Sequence, residues 1–306
     1  MLLPINETIM ELANSNGELL NSRLAELSSP SSEEMELLKR SWSAIESERR
    51  CQIVHRLVEL AEDNTGLNFD DVLKYCLKDQ DEEVRSKAIE GLWENEEPSL
   101  INPLTNLLEQ DSSEEVQAAA ATALGKFAML AEHKKLRHCH ISSVREALLS
   151  VISDKNRAIE VRRRALEAAA PLSLPQVKAA IMEAHQSHNP RLIISSIYAM
   201  GKNCDPCWLP ILLKELASTD AEARYEAAGA CGEFEEKKET VPHLIKLLDD
   251  PDADVQMAAI QALGKIGGTK AKECLHNRLN DTSEAIHLAA KQALDELETR
   301  EDLSPF

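Results

Sequence analysis

Two stretches far apart in the chain read almost alike: VQAAAATALGKFA from Val116 to Ala128, and VQMAAIQALGKIG from Val255 to Gly267. The same frame recurs in VRSKAIEGLW from Val84, VRRRALEAAA from Val161, LIISSIYAMG from Leu192, ARYEAAGACG from Ala223 and IHLAAKQALD from Ile286. These starts lie 31 or 32 residues apart, except for one interval of 45 between Val116 and Val161. Self-similarity at such a period marks stacked supersecondary units, each too small to bury its own apolar face. A chain built this way folds as an array, because each unit needs a neighbour to cover it.

Each unit follows one order. An apolar helix comes first, as in PLTNLLEQ, WLPILLKELAS or VPHLIKLLDD. An acidic turn follows, such as Asp111-Ser112-Ser113-Glu114 or Asp250-Pro251-Asp252. An Ala-rich second helix comes last, often with Gly125, Gly201, Gly232 or Gly264 near its end. Asp and Ser in the turn suit an N-cap, where a side-chain oxygen accepts from a free backbone N–H. The glycines are expected to be C-caps with positive φ. With the first residue of the frame numbered zero, positions 0, 4 and 8 share one helix face at about 100° per residue. They hold Val116, Ala120 and Leu124, or Val255, Ala259 and Leu263, and are the expected core. Cys231 falls at position 8 of its unit and is expected to fill core rather than react. Aromatic residues are only 3% of the chain and glycines only 10, which argues against a sandwich or barrel.

The pattern of turn Asp, V-R, spaced alanines and A-L-G resembles the HEAT repeats, in the short form also called PBS lyase HEAT-like repeats. The resemblance covers roughly residues 70–297, and a decayed unit precedes it at RRCQIVHRLVEL, from Arg49 to Leu60. It implies an all-α fold, an α-solenoid of about seven to eight helix pairs. The expected organisation is a capping or partly ordered segment over 1–40, an array over 41–300 and a tail over 301–306. Within 1–40, LSSPSSEE predicts a loop leading into a Ser/Glu helix start.

The family hosts several chemistries, each of which requires particular residues. Deoxyhypusine hydroxylases, which share the fold, hold iron through paired His-Glu dipeptides. None of the nine histidines here is followed by Glu. No phosphate loop, GxSxG or HExxH occurs. The reading is a non-enzyme with no cofactor. Two weaker metal or redox candidates remain: the pair Cys204 and Cys207, and the cluster His138-Cys139-His140. They define the alternative reading, a lyase- or oxidoreductase-type enzyme. A formal net charge of -19 argues against nucleic acid as a partner. The N-terminus has no basic stretch ahead of an apolar one, no apolar run reaches the ~18 residues of a membrane span, and seven scattered cysteines do not form a disulfide framework. These features predict a cytoplasmic protein.

Two surfaces invite partners. The 45-residue interval is locally basic, with Lys134, Lys135, Arg137, Arg163 and Arg164 as a candidate patch for an acidic ligand. Arg162 there repeats the position-1 arginines Arg85 and Arg224, which in such arrays pair with turn aspartates. The second surface is positions 2 and 6 of the second helices, which in a HEAT-like stack would line the concave side. Early units place Ser86, Glu90, Ala118 and Thr122 there, and later units Ile194, Tyr198, Tyr225, Met257 and Leu288. The later set is the candidate site for another protein, because large apolar groups facing water mark interfaces. Packing between neighbouring second helices, or against a C-terminal tail, is the competing explanation for the same residues.

Overall fold

The computed structural model describes residues 4–14, 17–234 and 237–303, and no strand occurs among them. The chain divides into two compact units at Ala168 and Ala169. The first unit contains α1 (Pro4–Leu12), α2 (Asn21–Ala25), α3 (Ser32–Trp42), α4 (Ser47–Asp63), α5 (Asp70–Cys76), α6 (Glu82–Gly91), α7 (Ile101–Gln110), α8 (Glu114–Glu132) and α9 (His138–Ser153). Helix α10 (Ile159–Ala169) ends at the division. The second unit contains α11 (Pro175–His185), α12 (Pro190–Asn203), α13 (Leu209–Glu215), α14 (Ala221–Gly232), α15 (Val241–Leu247), α16 (Ala253–Ile266), α17 (Thr269–Arg278) and α18 (Glu284–Leu303).

In each unit the helices alternate between two layers, the packing of an α-solenoid. In the first, α5 packs on α6 and α7 on α8, while α4, α6 and α8 lie side by side. In the second, α11, α13, α15 and α17 pack on α12, α14, α16 and α18, and those four second helices form their own layer. Positions 0, 4 and 8 are buried in every unit, including Val84, Ala88 and Leu92, Ala223, Ala227 and Cys231, and Ile286, Ala290 and Leu294. Burial of one Val or Leu side chain contributes about 1.5–3 kcal/mol, so this repeated face is what drives stacking. The small residue at position 4 keeps the paired helix close. Over 1–40, Ser31 and Glu34 form the expected capping box at the start of α3, which runs past residue 40 to Trp42. Ile9, Leu12, Leu24, Leu27 and Leu38 of this region are buried. Residues 301–303 continue α18, and 304–306 lie outside the described residues.

The turns are tied from one repeat to the next by position 1 of the second helix. Arg85 donates Nε and Nη2 to both carboxylate oxygens of Asp111, each at 2.7 Å, and Nη1 to the Asp79 and Gln80 carbonyls of its own turn. Arg224 repeats this with Asp250 at 2.7 and 2.8 Å and with the Ser218 and Thr219 carbonyls. Arg50 of the decayed unit grips Asp79 at 3.0 Å through two N–H groups. The aspartates also accept from the backbone N–H two residues on, at Asp81, Ser113 and Asp252. Where position 1 is glutamine, Gln117 and Gln256 still donate to a carbonyl of their own turn, those of Asp111 and Asp250 at 2.6 Å. The expected N-caps occur at Asp81, Asp220 and Asp252, whereas Ser113 caps without a side-chain bond.

The glycines correct the sequence expectation. Gly125, Gly201, Gly232 and Gly264 lie within helices, not after them. Only Gly267 and Gly268 have positive φ among the described glycines. The cause is close approach: a Cβ at Gly201 would stand 2.7 Å from the Ala230 Cα, and one at Gly264 2.8 Å from the Ala293 Cβ. Gly229 is the contrast, with nothing within 4 Å of where its Cβ would be. Gly201→Ala and Gly264→Ala are each expected to cost about 1–3 kcal/mol through overpacking. Gly229→Ala should gain about 0.5–1 kcal/mol from helix propensity. Urea denaturation of the three variants checks both signs.

Candidate functional site

Positions 2 and 6 of the second helices carry two grooves, one in each unit. In the second unit, Tyr225 of α14 and Met257 of α16 line a single cavity of about 590 Å3 with Ala221, Ala258 and Gln261. They are one repeat apart and meet because the Gly232–Ala262 approach holds α14 and α16 close. Tyr225 is 42% exposed, and Met257 is half-buried. The charged residues of this lining are Glu222, Asp252 and Asp254, all acidic, at the first turns of the two helices. The remaining sequence candidates do not line this cavity. Tyr198 stands under the Lys202 ammonium, 5.7 Å from its ring centre. Leu288 is exposed on α18. Ile194 of α12 is only 9% exposed, so it offers little docking surface, contrary to its placement among the water-facing residues.

The first unit holds the larger groove, about 870 Å3, between α6 and α8. Ser86, Glu90, Ala118 and Thr122, the small or polar position-2 and position-6 residues, line it. Small side chains make the depth here, where sequence reasoning looked for bulk. Trp93, just past the end of α6, forms one side and is 62% exposed. Sequence reasoning missed it, although an unassigned Trp in a chain so poor in aromatics was the available signal.

The basic patch is smaller than expected. Arg163 bonds Glu160 and Glu167 at 2.5 and 3.0 Å, and Arg164 bonds the same two at 3.1 and 3.0 Å. These i,i+3 and i,i+4 pairs along α10 leave the two arginines serving the helix, not an open patch. Arg162 has no turn aspartate as partner and donates instead to the Ile152 carbonyl at 3.3 Å. Lys134, Lys135 and Arg137 remain exposed in the turn between α8 and α9.

The metal and redox candidates stand in settings that disfavour a thiolate. Cys204 sits at the end of α12 with φ +52 and donates its thiol to the Gly201 carbonyl at 3.0 Å. Burial, then the Glu233 carboxylate, pushes that thiol up. Cys207 follows Asp205, whose carboxylate accepts the Cys207 N–H at 2.9 Å and itself pairs with Lys178. Burial, then Asp205, pushes Cys207 up as well. His138 and Cys139 are exposed at the start of α9, and the half-buried His140 keeps a buried Nδ1 without a hydrogen-bond partner. The described residues bring one group of donors within metal-ligand range, and it is elsewhere: Cys51, Asp81 and Glu83, with ligand atoms within 4.8 Å of one another. Asp81 is committed to the Glu83 and Val84 N–H groups and to Ser47. Burial and the two carboxylates push Cys51 up to about 12. The cluster therefore reads as a helix cap beside a protonated thiol. Alkylation of Cys204 and Cys207 at neutral pH should be slower than for an unperturbed thiol, accelerating only above the usual thiol range near 8.5. Mass-spectrometric rates against pH check this, and a fast reaction at pH 7 would favour redox chemistry.

No helix among the described residues is long and apolar enough to cross a membrane. No curated protein matches the sequence. Among solved structures, an engineered protein is 20% identical, covering 96% of this chain and 88% of its own, with a TM-score of 0.42. YibA from Escherichia coli is 17% identical over 78% of this chain and 96% of its own, with a TM-score of 0.47. Human deoxyhypusine hydroxylase, solved with glycerol, is 15% identical over 96% and 97%, with a TM-score of 0.37. The family model of HEAT repeats matches residues 70–150 and 209–295, together more than half of the sequence. With the tandem helix pairs, their turn ladder and these matched stretches, the chain belongs to the HEAT repeat family.

Proposed function

We propose that this chain is a non-catalytic scaffold that binds another protein on the position-2 and position-6 face of its second helices. One observation carries the reading: Tyr225 and Met257, from successive repeats, line a shared cavity whose charged residues are all acidic. An aromatic and a thioether supply adaptable apolar area. Glu222, Asp252 and Asp254 set the charge of what enters, so the favoured partner segment combines an apolar anchor with Lys or Arg. Helices already packed in register lose little freedom on binding, which limits the entropic cost. The raised thiols at Cys204 and Cys207 support the same reading, since nucleophilic or redox work needs the thiolate.

Selection of displayed random peptides on the intact protein tests this. Enriched sequences should join aromatic or aliphatic residues to Lys or Arg. Tyr225→Ala with Met257→Ala should weaken the selected peptides by about tenfold or more, with far-UV circular dichroism unchanged. Selection of acidic peptides, or unchanged binding by the double variant, would contradict the reading.

A further inference from the structure

We propose that the groove between α6 and α8 is a second docking site, built for a protein segment in which an arginine flanks an aliphatic residue. The arginine would stack on Trp93 and the aliphatic group would enter over Ala118 and Ala123. This rests on the scaffold reading and names the partner chemistry at a different site, in the first unit.

The wall of the groove is fixed by Lys126 of α8. Its ammonium donates to the carbonyls of Leu92 at 3.0 Å and Trp93 at 2.8 Å, and to that of Asn95. An ammonium has three N–H donors, and all three are occupied. They close the C-terminal end of α6, where a positive charge suits the helix dipole. The turn carrying Trp93 is thereby held, and its ring stands out beside the cavity. The equivalent lysines at Lys202 and Lys265 instead pair with Glu233, so this clamp is particular to the Trp93 turn.

The same bonds decide the charge offered to a ligand. Lys126 has no donor left for an incoming carboxylate. Arg164, the other cation of the lining, is engaged by Glu160 and Glu167, and Glu90 pairs with Lys87 at 2.8 Å. The carboxylates left without an ion pair are those of Glu114 and Glu115, exposed on the first turn of α8. A groove with an alanine floor, an exposed indole and two unpaired carboxylates complements a guanidinium on an apolar segment. The guanidinium stacks on indole faces, and Glu114 and Glu115, about three turns of α8 before the Lys126 clamp, make the far end of the groove acidic. A cavity of about 870 Å3 is ample for such side chains.

The site reports on itself. Trp42 and Trp208 are buried, so Trp93 is the exposed tryptophan of the three. The test titrates the full chain with a synthetic Ala/Leu/Arg helical peptide and with its Arg→Glu counterpart, reading tryptophan emission and acrylamide quenching alongside calorimetry. The Arg peptide should shift the emission to the blue and protect Trp93 from quencher, and the Glu peptide should do neither. Trp93→Ala should weaken the Arg peptide about tenfold or more, the scale of an aromatic hot spot. Glu114→Gln with Glu115→Gln should weaken it severalfold. Glu296→Gln with Glu298→Gln, the same charge change on α18, should leave it unaltered. Equal weakening by the α18 pair would assign the binding to net charge and overturn the proposal. So would full binding by Trp93→Ala. A peptide that loses affinity with Tyr225→Ala and Met257→Ala yet never moves the Trp93 emission would overturn this site while leaving the scaffold reading standing.

Discussion

The forked contact between a position-1 arginine and the aspartate of the following turn is the directional constraint at the three junctions that carry it, Arg50–Asp79, Arg85–Asp111 and Arg224–Asp250. Hydrophobic burial at positions 0, 4 and 8 brings helices together but is non-directional, so a row of Val, Ala and Leu tolerates sliding. Arg85 and Arg224 remove that freedom. Each bonds two carbonyls of its own turn and both oxygens of the next aspartate. The pairs are buried, and the hydrogen bond from Arg224 is the main reason that the Asp250 carboxyl is held below its usual range. Burial alone would push it the other way.

Register fixed at the turns lets the helix bodies approach closely farther along. Glycines at 125, 201, 232 and 264 meet alanine backbones of the next second helix. Grooves then form where the helices' outward positions hold small residues, or where two larger ones face each other across a repeat. The Trp93 groove is of the first kind and the Tyr225–Met257 groove of the second. Both carry acidic first turns, because Asp and Glu favour helix starts. The charge that caps the helices thus also colours both grooves.

Much of the fold was legible because a repeat states its pattern several times over. The core face, the Asp caps and the burial of Cys231 follow from residue spacing alone. The glycines were misread because Gly near a helix end has two physical uses, positive φ and close approach, and only the neighbouring helix decides between them. Arg163 and Arg164 read as part of a basic patch because repeat spacing does not show that their partners, Glu160 and Glu167, lie at i−3, i−4, i+3 and i+4 on their own helix. Ile194 failed as a surface residue because position 2 faces outward only where nothing packs over it. Trp93 closes the segment that begins at Val84, but the repeat pattern does not say whether that last residue is exposed, and the turn that carries it is bonded by Lys126, a residue 33 positions away.

The measurement that reaches the centre of this picture is a double-mutant cycle on Arg224 and Asp250. Arg224→Met, Asp250→Leu and the double variant would be compared in urea unfolding. If the pair sets the stacking register, each single change should be strongly destabilising, about 3–5 kcal/mol where a charge is left buried alone. The double variant should lose less than the sum of the two single changes, by a coupling energy of about 0.5–3 kcal/mol. Additive single effects with no coupling would show that burial alone aligns the repeats and that the arginine ladder is incidental.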